Sequence, residues 1–346
     1  MKHQTTRYGE IPFYKIGTFG NTADAFISKK LFLEYKTKYS FPKKGDILIS
    51  ASGTIGRAVI YDGKPAYFQD SNIVWIDNDE TLVKNDFLFY AYSNVKWNTE
   101  HTTILRLYND NFRNTLIPLP SLNEQSAIAN VLSDLDRYLC ALDALILKKE
   151  GVKKSLSFEL LSQRKRLKGF NQAWQRVRLG DIANYLTSNL SVEQITQQGK
   201  IKVYDVNNFI GYTDTTFISD KPYISIVKDG SVGRVRILPP KTNILSTMGA
   251  LIANHRTTTE FLFYLLSNFD FKNFTSGSII PHIYFKDYKE KTIFLPPPNE
   301  QNAIANVLSG LDNEIASLKN KKRQFENIKK ALNHDLMSAK IRVLEK

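Results

Sequence analysis

A chain of 346 residues with 42% hydrophobic side chains is too long for one ordinary domain and carries enough apolar material for several cores. Its 47 Lys and Arg against 34 Asp and Glu leave a net charge of +13, which favours a polyanionic partner, nucleic acid ahead of a membrane surface. No apolar run approaches the roughly eighteen residues of a membrane span, residues 1–7 lead into no signal-like stretch, and the single cysteine, Cys140, excludes an internal disulfide or a cysteine-cluster metal site; a cytoplasmic protein is expected.

In chain order, residues 46–50 alternate as a strand, Asp62-Gly63 marks a turn, residues 73–76 read as a second strand, and the Phe87-Leu88-Phe89-Tyr90 segment reads as a short buried helix. Pro120 closes this mixed region. From Ile128 the apolar positions Leu132, Leu135, Leu139, Leu142 and Ile146 step by three and four, the seam of a helix that packs on another helix. Asn123 is placed to cap its start, and a helix from there to Lys168 is predicted. The series then restarts. Residues 223–227 read as a strand, Asp229-Gly230 as a turn, and Phe261-Leu262-Phe263-Tyr264 as a buried helix. A second long helix follows Pro296-Pro297-Pro298, with Asn299 as the capping candidate and a seam of Ile304, Leu308, Leu311, Ile315, Leu318, Phe325, Ile328, Leu332 and Leu336.

The restart is a duplication. Residues 119–136 return as 295–312 with 14 of 18 aligned pairs identical, too many for two unrelated amphipathic helices. The Phe-Leu-Phe-Tyr segments and the turns Gly53-Thr54-Ile55-Gly56-Arg57 and Gly230-Ser231-Val232-Gly233-Arg234 keep the same order in both halves. Between these anchors the halves share little. Two variable modules therefore sit on two copies of one constant scaffold.

A duplicated module-plus-helix chain, with the Leu-Pro-x-x-x-Glu-Gln helix start and the Gly-x-x-Gly-Arg turn in each half, resembles the DNA-specificity subunit of type I restriction-modification systems. The resemblance covers nearly the whole chain. It implies an α+β fold: two mixed α/β target-recognition domains, residues 1–120 and 171–296, each followed by a long spacer helix, residues 121–170 and 297–346, the two helices packed as an antiparallel coiled coil with pseudo-two-fold symmetry. It implies a non-catalytic subunit that reads a split site on double-stranded DNA, binds two methyltransferase subunits and, through that complex, restriction translocase subunits, and so directs adenine methylation and restriction. The segment from Trp174 to Ala183 is the usual entry into a recognition domain in this family. The first half begins near the equivalent of Gly199, since Gly9, Ile11 and Tyr14 align with Gly199, Ile201 and Tyr204, so its module is expected to lack that entry strand.

No phosphate loop, His-Glu-x-x-His pair or amino-methyltransferase motif occurs, and no cofactor or metal is expected. Asp24 with Glu34-Tyr35-Lys36 mimics a metal-dependent nuclease pattern, and a stand-alone DNA-binding protein would share the charge and the repeat; both stand as alternatives. His101, His255, His282 and His334 lack metal-ligand spacing. The glycine turns have two readings, a tight turn with solvated arginines or DNA contact by Arg57 and Arg234, because arginine serves both phosphate and guanine. Ser276, Ser278 and His282 form a polar loop of the kind that approaches DNA, and Lys43, Lys44, Lys228, Arg236 and Lys241 are candidates for nonspecific charge.

Overall fold

The computed structural model describes residues 4–68, 72–97 and 106–344, and divides into two compact units. The first is Met1–Asp143 with Asn320–Lys346, and the second is Ala144–Lys319.

The first unit contains β1 (Ile11–Tyr14), β2 (Ala25–Ile27), α1 (Lys29–Lys38), β3 (Ile47–Ser50), β4 (Ala58–Ile60), β5 (Tyr67–Phe68), β6 (Ile73–Trp75), α2 (Asn85–Tyr92), α3 (Asn109–Arg113) and the first part of α4 (Leu122–Leu161). Its strands form two sheets, β2-β1-β5 and β4-β3-β6. The central strand β3 is buried on both faces: Ile47 and Ile49 pack with Leu88 and Tyr92 of α2, whereas Leu48 packs with Phe19, Tyr61 and Ile73. That alternation is the two-residue period of a strand.

The second unit repeats the plan. After the end of α4 come β7 (Gln175–Arg178), β8 (Ala183–Thr187), β9 (Ile201–Tyr204), β10 (Phe209–Thr213), β11 (Tyr223–Val227), β12 (Val235–Leu238), β13 (Thr242–Ile244), β14 (Met248–Ala253), α5 (Thr259–Ser267), β15 (Thr275–Ser276), β16 (His282–Ile283), α6 (Phe285–Tyr288), β17 (Thr292–Leu295) and most of α7 (Pro298–Met337). Its two larger sheets are β10-β9-β13 and β12-β11-β14-β8. The latter corresponds to β4-β3-β6 with one strand added, β8, paired along β14 from Gly249–Thr187 to Ala253–Ala183. Among the described residues of the first unit no strand takes β8's place.

Each module is closed by the start of one long helix and the end of the other. In the first unit Phe87, Tyr90 and Ala91 pack with Ile128, Ala129 and Leu132 of α4 and with Leu336 and Met337 of α7. In the second, Phe261, Leu262 and Tyr264 pack with Ile304, Ala305 and Leu308 of α7 and Leu160 of α4. Within each unit the helix segments run antiparallel: Asp136 pairs with Lys329 and Asp143 with Lys322 in the first, Glu150 with Lys319 and Lys153 with Asp312 in the second.

The duplicated Glu-Gln pair has a structural task. Gln125, fully buried, donates from Nε2 to the carbonyls of Leu82 (2.9 Å) and Pro120 (2.8 Å) and accepts from the Lys84 N–H, tying α2 to the start of α4. Gln301 does the same with Arg256, Pro296 and Thr258. Glu300 accepts from Arg166 and from Trp174 Nε1 (2.9 Å), whereas Glu124 accepts the backbone N–H groups of Val343 (2.7 Å) and Leu344 (3.1 Å). A further set recurs above them. The Tyr90 hydroxyl donates to Asp136 (2.8 Å), whose other oxygen takes Lys329; Tyr264, Asp312 and Lys153 repeat it, the Tyr–Asp bond being 2.9 Å.

Three expectations need correction. Helix α4 ends at Leu161 rather than Lys168, because Gln163 turns into the left-handed region (φ 60°) and residues 162–166 are all polar. Ser121, not Asn123, caps its start, its Oγ accepting from the Glu124 N–H at 3.3 Å. Ile328 is 51% exposed instead of lying in the seam, since the covered positions run from Phe325 through Lys329 to Leu332 and leave Ile328 one residue to the side.

Candidate nucleic-acid interface

The recurrent turn is built from glycine geometry. In the second unit β11 hands over to β12 through residues 228–234, with Gly230 at φ 83° and Gly233 at φ 80°. The Gly233 N–H donates to Val227 and the Val227 N–H to Arg234, each at 2.9 Å, closing the loop on its own strand. The first unit repeats this with Gly53 (φ 69°), Gly56 (φ 80°) and the Ser50–Arg57 bond of 2.9 Å. A side chain at Gly233 would meet the Phe271 ring at 2.7 Å, and one at Gly56 would run into Trp97.

The turn arginines are exposed but anchored. Arg57 donates from Nη1 to the Phe19 carbonyl at 3.0 Å, and Arg234 from Nη2 to Asn207 Oδ1 at 2.9 Å. Phe19 lies in the connection from β1 to β2 and Asn207 in that from β9 to β10, the central and edge strands of the corresponding three-stranded sheets. Arg236 donates to the Asn207 carbonyl (2.9 Å) and lies over the Tyr204 ring at 5.3 Å. A guanidinium offers five N–H donors, so each arginine retains outward donors while its orientation is set by the loop.

A hairpin docks on this turn in the second unit. Strands β15 and β16 pair Ser276 with His282, with Gly277 at φ 90° between them. The Gly230 N–H donates to the Pro281 carbonyl and the Ile283 N–H to the Lys228 carbonyl, both at 2.9 Å, while His282 Nδ1 meets Asp229 Oδ1 at 2.7 Å. The tip is open: Ser276 and Ser278 are exposed, and Ile279 is 92% exposed. The structure thus brings together Lys228, Arg234, Arg236, Ser276, Ser278 and His282 of the sequence-derived set.

It does not bring Lys241 into that group. Lys241 (φ 57°) sits between β12 and β13, beyond the opposite end of the β11–β12 pair, with its N–H bonded to the Ser219 carbonyl. Lys43 and Lys44 likewise precede β3, at the end away from Arg57, and the bond and charge of Asp77, 3.0 Å away, hold the Lys43 ammonium above its usual pKa. Sequence reasoning missed Asp229 and Asn207. Their partners lie 53 and 27 residues away, and nothing in a local pattern marks such pairs.

Among the described residues no group of three or more His, Cys, Asp and Glu could hold a metal ion, and no helix is long and apolar enough to cross a membrane. Asp24 pairs with Lys15 at 2.9 Å and Glu34 lies on α1. His101 lies outside the described residues.

The family model described as the type I restriction modification DNA specificity domain matches residues 1–149 and again 171–327. A type I restriction enzyme specificity subunit of Haemophilus influenzae is 61% identical over 137 residues, which are 39% of this chain and 36% of that protein. The MjaX specificity subunit of Methanocaldococcus jannaschii is 27% identical over 337 residues, 86% of this chain and 79% of that one. Among solved structures, the S subunit of a type I restriction-modification system from M. genitalium superposes with a TM-score of 0.63 at 20% identity, covering 97% of this chain and 91% of the other. With two matches of one family model on two units of one plan, the chain belongs to the type I restriction-modification DNA specificity subunit family.

Proposed function

We propose that this chain is the non-catalytic reader of a type I restriction-modification complex, in which each unit recognises one half of a split double-stranded DNA site. On this reading residues 1–120 and 171–296 are the target-recognition domains, and residues 121–170 and 297–346 are the spacer segments that carry α4 and α7. The observation that carries it is the repetition of one exposed, glycine-built arginine turn in two units whose surrounding side chains differ. A common turn places a guanidinium on DNA in the same way twice; differing neighbours make the two half-sites differ. Arg57, Arg234, Arg236, Lys228, Ser276, Ser278 and His282 form the contact set, with Lys43, Lys44 and Lys241 as outlying charge.

The excess of +13 supports sequence-independent attraction to phosphate, so the isolated chain binds DNA weakly and loses it as salt rises. Specific action comes with its partners, two methyltransferase subunits and, joined to them, restriction translocase subunits, in the cytoplasm. The test is to co-express the chain with its methyltransferase and map methylated adenines across a genome. A two-part motif with a fixed gap is expected. A continuous motif, no methylation, or site-specific cleavage by the purified chain alone with a divalent metal would overturn the reading.

A further inference from the structure

We propose that Arg106 and His282 are equivalent specificity-determining residues, one in each unit, each reading a base in its own half-site; the proposal rests on the DNA-reading function proposed above. The equivalence is geometric. Ser52 bridges Arg106 as Asp229 bridges His282, in antiparallel pairs next to the glycine turn. The following residue is buried in both cases, and its N–H closes the same bond: Leu107 to the Ala51 carbonyl at 2.8 Å, Ile283 to the Lys228 carbonyl at 2.9 Å. Two residues on stands an exposed tyrosine, with Arg106 over the Tyr108 ring at 5.8 Å and the His282 ring stacked on Tyr284 at 6.4 Å. One backbone position, braced by one kind of ring, therefore carries two different polar side chains.

The chemistry differs in sign. Arginine is a pure donor, and its fork matches the O6 and N7 acceptors of guanine in the major groove. At His282 the Asp229 carboxylate accepts at 2.7 Å, which places a proton on Nδ1; in that tautomer Nε2 is an acceptor. An acceptor matches the exocyclic amino groups of adenine and cytosine, not guanine's major-groove edge. Arg106 accordingly selects a guanine in one half-site, and His282 a base with an amino donor in the other. Asp229 is the positioning residue for the histidine.

The experiment uses the whole chain assembled with its methyltransferase, purified as a complex, and a DNA pool randomised through both half-sites. Methylated molecules are sequenced for the unmodified complex and for Arg106→Gln, Arg106→Lys, His282→Gln and His282→Arg. Each variant is expected to lose about tenfold preference at one base pair of one half-site and to leave the other half unchanged, with His282→Arg moving its position toward guanine. Arg106→Lys and His282→Gln keep a polar side chain of similar reach, so a readable complex remains if a bolder variant fails to assemble. Unchanged preference at every position, or a uniform loss of methylation without altered preference, overturns the proposal. If the unmodified complex itself selects no bipartite site, the function proposed above fails instead.

Discussion

Tyr264 shows how much one side chain can report. Burial first, and then the hydrogen bond and charge of Asp312, hold its phenol above the usual 10. A folded-state pKa raised above the unfolded value means that the tyrosine's contribution is complete below pH 10 and is lost as pH rises beyond it. Tyr264→Phe should cost about 1 kcal/mol at neutral pH, through the lost bond to Asp312, and flatten the decline of melting temperature above about pH 10. An unchanged alkaline slope would show that the phenol is not held this way. Gly233 is the opposite kind of residue, fixed by backbone rather than by partners. With φ at 80° and Phe271 lying 2.7 Å from the missing Cβ, Gly233→Ala should destabilise by about 1–3 kcal/mol in denaturant titration. The glycines were legible in the sequence because a turn is local; the pairing of His282 with Asp229 was not, since it exists only once a hairpin 53 residues downstream has docked.

Among the elements, the long helices were the most legible and their fine boundaries the least. The three-four step at Ile304, Leu308 and Ile315 picked out buried positions, because repeated apolar spacing has one meaning on a helix that packs against another. It failed at Ile328, one residue beside the seam position that Lys329 takes, and at residues 162–166, where a polar run carries no periodic signal. The contrast is measurable. Leu308→Ala, at a fully buried site, should cost about 2–5 kcal/mol, and Ile328→Ala, at 51% exposure, no more than about 0.5 kcal/mol, both read by chemical unfolding. Equal costs would put the seam elsewhere. The short strands were partly readable: β3 and β11 announced themselves as apolar runs, whereas two-residue β15 and β16 are held by the turn they dock on and have no pattern of their own.

At the scale of the molecule, α4 and α7 each contribute to both units, Asp143 and Ala144 marking the division in one and Lys319 and Asn320 in the other. If these helices set the gap between half-sites, four residues inserted at both divisions add about 6 Å of helix, at about 1.5 Å per residue. With base pairs about 3.4 Å apart, the mapped gap should widen by one or two pairs while both half-site sequences persist. Two-residue insertions turn each helix about 200° and should abolish methylation by breaking the seam. A four-residue insertion that methylates at the original gap would remove the helices as the ruler.

The division has a consequence for the order in which the protein is made. The second unit is one uninterrupted stretch, Ala144–Lys319, but the first awaits Asn320–Lys346, since Leu336 and Met337 complete the cluster around Phe87 and Asn333 reaches Ser93 across 240 residues. During synthesis the module made first is therefore finished last. Its half-built core must remain uncommitted on the ribosome until the chain's final helical turns emerge, a long-range closure of the slow kind. A chain ended after Lys319 should yield a protease-resistant core within residues 144–319 and readily cut residues 1–143; protection of the N-terminal stretch in that shortened chain would show that it closes without its final helix.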